Sequence, residues 1–92
     1  MAQIEVKKLM DLPEGKFEVT IRDNRVTRHT VTVTQEYYEK LTAGAVSPEK
    51  LVEESFEFLL SREPNTSILS EFDLTVISKY FPGYEREIKS KF

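Results

Sequence analysis

Apolar and polar positions change their rhythm once along this chain, near residue 34. Before that point they alternate: Phe17, Val19 and Ile21 are interleaved with Glu18, Thr20 and Arg22, and the run from Val26 to Val33 is rich in β-branched residues. This is the pattern of half-buried strands, and Asp23-Asn24 between the runs marks a hairpin over residues 16–33. Its register follows from which faces match. A two-residue turn at Asp23-Asn24 sets Val19 opposite Arg28 and Phe17 opposite Thr30, mixing apolar and polar side chains. A three-residue loop, Asp23-Asn24-Arg25, sets Ile21, Val19 and Phe17 opposite Thr27, His29 and Val31 and gives one coherent buried face. The second register is preferred, with a loop of the usual kind, a type I turn followed by a left-handed residue. Gln3 to Lys7, alternating at Ile4 and Val6, is a candidate third strand, with Leu12-Pro13-Glu14-Gly15 as its turn.

From Thr34 to Phe92 the period becomes helical. Thr34 is placed to cap a short helix through about Leu41, with a Glu36–Lys40 pair outside and Gly44 as its stop. Ser47-Pro48 opens a long helix over residues 48–62, because proline at the first position forfeits no hydrogen bond, and Pro64 closes it. On that helix Leu51, Val52, Ser55, Phe56, Phe58, Leu59 and Leu60 sweep an arc of roughly 200°, about twice the stripe a surface helix needs. It should be covered on two sides and stand at the centre of the molecule. Asn65 or Thr66 is read as the cap of a single turn holding Ile68, Leu69 and Phe72. Asp73 is read as the cap of a further helix with Leu74, Val76, Ile77 and Tyr80 facing inward. Pro82 interrupts that helix, since the residue before a proline avoids the helical region. A last segment carries Tyr84, Ile88 and Phe92 on one stripe, with Glu85–Lys89 and Glu87–Lys91 pairs. The expected fold class is α+β, one domain over residues 1–92: a small antiparallel sheet packed against four or five helices.

Composition narrows this further. Ninety-two residues with 39% hydrophobic content, six Phe and four Tyr suffice for one packed core without staples. Cysteine is absent, which removes disulfides, thiolate metal sites and cysteine nucleophiles. No apolar run approaches the ~20 residues of a membrane helix, and Met1-Ala2-Gln3-Ile4-Glu5 lacks the basic start of a signal peptide. A soluble cytoplasmic protein without membrane contact is expected. The net charge of −3 is uneven: residues 1–34 hold six basic against five acidic side chains, residues 35–92 seven against eleven. A nucleic-acid domain usually shows a basic face, which this balance disfavours.

Candidate chemistry is sparse. His29 is the single imidazole, and an acid–base role needs an orienting partner and a substrate within about 3 Å. On the preferred register it shares a face with Val19 and Val31, as a buried, hydrogen-bonded residue would. Ser55, the nucleophile a triad would need, lies in the middle of the apolar helix face, where small residues allow close packing. Glu53, Glu54 and Glu57 cluster on the same helix, but no histidine follows to complete a carboxylate metal site, and a solvated acidic face is the simpler reading. Gly15, Gly44 and Gly83 are isolated, so no phosphate-cradling loop is present. Arg22, Arg25 and Arg28 crowd the hairpin end and could grip phosphates, although charged hairpin tips also serve edge protection. Residues 67–81 have the outline of a helix-turn-helix, but the break at Asp73 is short, contains no glycine and is followed by Lys79 as the one cation. The Tyr84, Ile88 and Phe92 stripe could dock on its own domain or form a contact surface for a second copy.

The segments His29–Val33, Gln35–Tyr38, Ser55–Leu60, Arg62–Leu69, Phe72–Leu74 and Tyr80–Glu85 resemble a family of small uncharacterised bacterial proteins over roughly residues 16–90. The resemblance implies a stand-alone single domain and brings no activity, cofactor or catalytic residue. From the residues themselves the expected function is a non-enzymatic interaction module without cofactor, binding a protein partner or itself as a homodimer through the hairpin or the terminal helix. The alternative is a small nucleic-acid-binding regulator using Arg22, Arg25 and Arg28. A small hydrolase or isomerase using His29 with a glutamate is the third class.

Overall fold

A computed structural model describes residues 2–92. Strands β1 (Gln3–Met10), β2 (Glu14–Arg22) and β3 (Val26–Thr34) form an antiparallel meander, and a short strand β4 (Glu71–Asp73) joins β3 in parallel. The sheet order is β1-β2-β3-β4. Between β3 and β4 the chain makes the crossover that parallel pairing requires, through helices α1 (Gln35–Thr42) and α2 (Pro48–Leu60) and the 3-10 turn Asn65–Ser67. Helices α3 (Val76–Tyr80) and α4 (Tyr84–Lys89) follow. The α+β reading holds, and among the described residues the helices number four, within the expected four or five, but the sheet has four strands and is mixed.

The hairpin adopts the three-residue loop, with Phe17 opposite Val31, Val19 opposite His29 and Ile21 opposite Thr27. Its loop contains no left-handed residue; among the described non-glycine residues only Ala43 has positive φ. Across the loop the Asp23 N–H donates to the Arg25 carbonyl at 3.3 Å, and the Asn24 N–H donates to the Asp23 carboxylate. Phe17, Val19, Ile21, Val31 and Val33 are at most 1% exposed and make the covered face of the sheet. Helix α1 begins as expected: Thr34 accepts a hydrogen bond from the N–H of Tyr37, and Ala43 (φ 53°) and Gly44 (φ 77°) end it.

Helix α2 lies between two layers. Phe56 meets His29 and Phe72 on the sheet side, with ring centroids 5.6 and 5.9 Å away. Phe58, two positions and about 200° further round, meets Phe81 at 5.9 Å and Tyr84 at 5.2 Å on the helical side. Leu51, Val52, Ser55 and Phe56 are fully buried. The helix is capped by Ser47, whose hydroxyl accepts from the N–H of Lys50, and it ends at Leu60, two residues short of the expected range. Ser55 donates to the Leu51 carbonyl at 2.7 Å and lies 2.6 Å from the Tyr84 hydroxyl, so Tyr84 donates to Ser55. Burial raises the Tyr84 phenol above its ordinary range.

Several local expectations fail after residue 60. Phe72 is not in a helical turn but in β4, because strand pairing to Val31 places it over the core. Asp73 ends that strand, and its carboxylate accepts from the Thr75 N–H and hydroxyl, which delays the helix until Val76. Asn65 caps nothing; its side chain reaches back to the hairpin. Tyr80 points outward, 68% exposed. The i,i+4 pairs Glu36–Lys40, Glu85–Lys89 and Glu87–Lys91 give way to tertiary ones: Lys40–Glu85 at 3.2 Å, Arg62–Glu87 at 2.9 Å and Lys91–Glu54 at 3.7 Å. Phe81, with φ −130°, breaks the chain between α3 and α4 ahead of Pro82 as expected.

Truncating Phe56 removes a ring enclosed on every side, so Phe56→Ala should cost about 3–5 kcal/mol of unfolding free energy in urea titration. Ser55→Ala leaves the buried Tyr84 hydroxyl without a partner and should cost about 1–3 kcal/mol. Adding Tyr84→Phe to Ser55→Ala should cost less than the sum of the two single changes, a double-mutant cycle that detects the bond.

Candidate functional site

Among the depressions of the described surface, one of 340 Å³ lies among Met10, Glu14, Lys16 and Thr32, and an open and mainly apolar groove of 260 Å³ lies between the end of α2, the 65–70 loop, β4 and α3. Leu59, Ile68, Phe72 and Ile77, all at most 9% exposed, form its floor and belong to the core. Leu69 and Tyr80 stand at its rim, 49% and 68% exposed. Glu63 is the single charged residue lining it. The geometry follows from the chain: β4 is too short to carry the sheet edge further, and Pro64 turns the chain away from α2, leaving the space between them unfilled. The groove runs beside β4, an edge strand with β3 on one side only.

A buried polar chain holds the rim. His29, 3% exposed, has Nδ1 2.7 Å from the Leu69 carbonyl oxygen and Nε2 2.9 Å from the Thr27 hydroxyl. The carbonyl can only accept, so the proton sits on Nδ1, and Thr27 donates to Nε2. Thr27 accepts in turn from the Asn65 side-chain amide at 3.0 Å, and the same amide donates to the Arg25 carbonyl at 2.9 Å. Both imidazole nitrogens are therefore engaged within the chain. His29 binds the 65–70 loop to the hairpin, and its groove-side consequence is the fixed position of Leu69.

The other sequence candidates disperse. Arg22 lies on the open face of the sheet, 3.5 Å from Glu5. Arg28 projects from that same face, opposite Thr20, while Arg25 sits in the loop. This face also carries Glu5, Lys7, Glu14, Lys16, Glu18, Glu71 and Asp73, so it mixes both signs of charge, and it offers no aromatic platform for a base to stack on. Glu53 pairs with Lys50 at 3.2 Å, and Glu54, 15% exposed, lies between Lys50 and Lys91 at 3.6 and 3.7 Å. Partial loss of hydration, then the neighbouring Glu54, raises the Glu57 carboxyl above its usual range. Among the described residues no three His, Asp or Glu side chains converge on a metal-sized space. Tyr84 and Ile88, on the stripe for which docking on its own domain and a contact surface were both open, are fully buried against α2 and α1, and Phe92 is half-buried; the stripe docks within its own chain because α2 needs a cover on that side.

Leu69 and Tyr80, the residues that define the groove, were placed by the sequence in a helical turn and on an inward face. The alternation Glu71-Phe72-Asp73-Leu74 was the available strand signal, and it implied that Leu69 would leave the core. Comparison with protein-family models, curated proteins and solved structures gave no match. The reading of the site rests on its geometry.

Between α1 and α4 Glu85, 28% exposed, accepts from the Tyr37 hydroxyl at 2.9 Å and pairs with Lys40. The Tyr37 hydrogen bond first, and Lys40 after it, hold its carboxyl below the ordinary value of 4.5. A lowered folded-state value means that the contribution is complete above that pH and is lost as the pH falls through the lowered one. Glu85→Gln keeps an acceptor for Tyr37 and removes the charge. Wild type and Glu85→Gln should therefore differ in stability at neutral pH and converge in acid, measured by urea titration across pH.

Proposed function

We propose that this chain is a protein-interaction module whose groove receives a large apolar side chain from an extended segment of a partner, with a basic neighbour meeting Glu63. The observation that carries this reading is the pair Leu69 and Tyr80, held exposed around an apolar floor at a sheet edge. Leu9, Met10 and Val26 are exposed as well, but Leu69 and Tyr80 are the two that flank this concave apolar floor, the arrangement in which exposed apolar surface marks an interaction site. The volume fits the same conclusion: 260 Å³ lies below the roughly 300–1,000 Å³ of small-molecule sites and suits one or two side chains. Beside it, β4 has an unpaired edge to which a partner strand can add, so main-chain bonds supply affinity and the groove supplies selectivity. The His29 chain fixes the rim before binding, which lowers the ordering cost of association. Binding, not catalysis, is what these parts do together.

Selection of displayed random peptides against the purified protein tests this. Enriched peptides should carry a large aliphatic or aromatic residue next to Lys or Arg. They should lose binding to a Leu69→Asp/Tyr80→Asp variant and bind Glu63→Gln several-fold more weakly. Peptides that bind the double variant as well as wild type, or a selection that enriches none, would reject the proposal.

A further inference from the structure

The opposite edge of the sheet points to a second, independent contact. β1 pairs with β2 alone, so one side of its backbone is open along Gln3–Met10. Ile4 and Val6 face the helical layer and are half-buried at this edge, while Gln3, Glu5 and Lys7 face the open side of the sheet. An unpaired edge of this length invites another strand.

We propose that β1 pairs antiparallel with β1 of a second copy of this chain, about a two-fold axis through Val6. Antiparallel pairing keeps opposed residues on the same face, so a two-fold axis must pass through a residue position. Charge then selects among the registers. An axis through Glu5 sets Glu5 against itself, and an axis through Lys7 sets Lys7 against itself. An axis through Ile4 opposes Glu5 to Gln3 and leaves most of the strand unpaired. Only the axis through Val6 places Glu5 opposite the partner's Lys7 and Lys7 opposite the partner's Glu5, two attractive cross-strand pairs in one short interface.

The rest of the strand agrees with this register. Val6 packs on the partner's Val6, and Ile4 lies opposite the partner's Lys8, whose aliphatic stem can cover it. The irregularity between Lys8 and Met10 ends the regular strand where the pairing would end. Within each chain Lys7 already opposes Glu18 across β1 and β2, so the row Glu18–Lys7 would continue into the partner's Glu5 with its signs still alternating. Glu5 remains available for this, because its contact with Arg22 is 3.5 Å long and both side chains are about half exposed or more, 61% and 48%. The product is one continuous eight-stranded sheet with both helical layers on the same side. The contact lies at the far edge from the groove beside β4, so it neither requires nor blocks the peptide reading above.

Sedimentation equilibrium on the purified chain tests the pairing. Wild type should show reversible dimers as its concentration rises to about 1 mM, the range expected for a small interface. Glu5→Lys alone and Lys7→Glu alone each turn two attractions into two repulsions and should weaken self-association by about tenfold or more. An equimolar mixture of those two variants restores both attractions in a heterodimer and should associate as wild type does. Amide exchange at residues 3–8 should slow with rising concentration in wild type, while exchange in β4 does not change. A monomeric wild type, single variants that dimerise undiminished, or a mixture that stays monomeric would each overturn the proposal. Substitutions at Leu69 and Tyr80 should leave the measured mass unchanged, which separates this failure from failure of the groove.

Discussion

The fold depends on α2 being enclosed from two directions. Phe56 and Phe58 are two residues apart and point to opposite sides, one into the sheet and one into the α3–α4 layer. A sheet in this position can hide only one face of a helix, so the second face demands the C-terminal helices as a lid. That demand explains why Tyr84 and Ile88 are wholly buried on a segment only six residues long, far too short to be helical by itself. The buried hydrogen bond across this junction, Tyr84 to Ser55, satisfies a hydroxyl that an apolar core would otherwise leave unpaired. Arg62 completes the seam at the surface, lying 3.8 Å above the Phe58 ring while it pairs with Glu87.

A second constraint operates where the crossover returns to the sheet. The loop after Pro64 is anchored in the core by Ile68 and held to the hairpin by hydrogen bonds through His29, Thr27 and Asn65. This network connects a buried position to a surface property. By fixing the Leu69 main chain it keeps the Leu69 side chain at the groove rim and out of the core. The one imidazole of the chain thus acts on the groove through position, by holding its rim.

The two sheet edges differ in a way that matters for association. β1 is long and charged in a pattern that complements itself, whereas β4 is three residues long and flanked by an apolar groove. The open sheet face between them carries both signs of charge and no aromatic side chain.

Much of the architecture could be read from local pattern. Faces that must match fixed the hairpin register, Thr34 and Ser47 marked helix starts, Pro82 marked a break, and the 200° arc on α2 required burial on two sides. These features depend on neighbours within a few residues, where period and stereochemistry act directly. The surface-exposed groove and the mixed sheet were not legible in that way. β4 exists because three residues find Thr30, Val31 and Thr32 some forty positions away, and that pairing overrides the helical preference read locally at Phe72 and Asp73. Tyr80 faces outward, and Lys40, Arg62 and Lys91 bond across elements, because tertiary partners outbid the i,i+4 neighbours that the sequence offers. The sequence determined which segments must be buried; only the packed chain decided which apolar residues were left over to form a site, since that remainder depends on how all the elements fit at once.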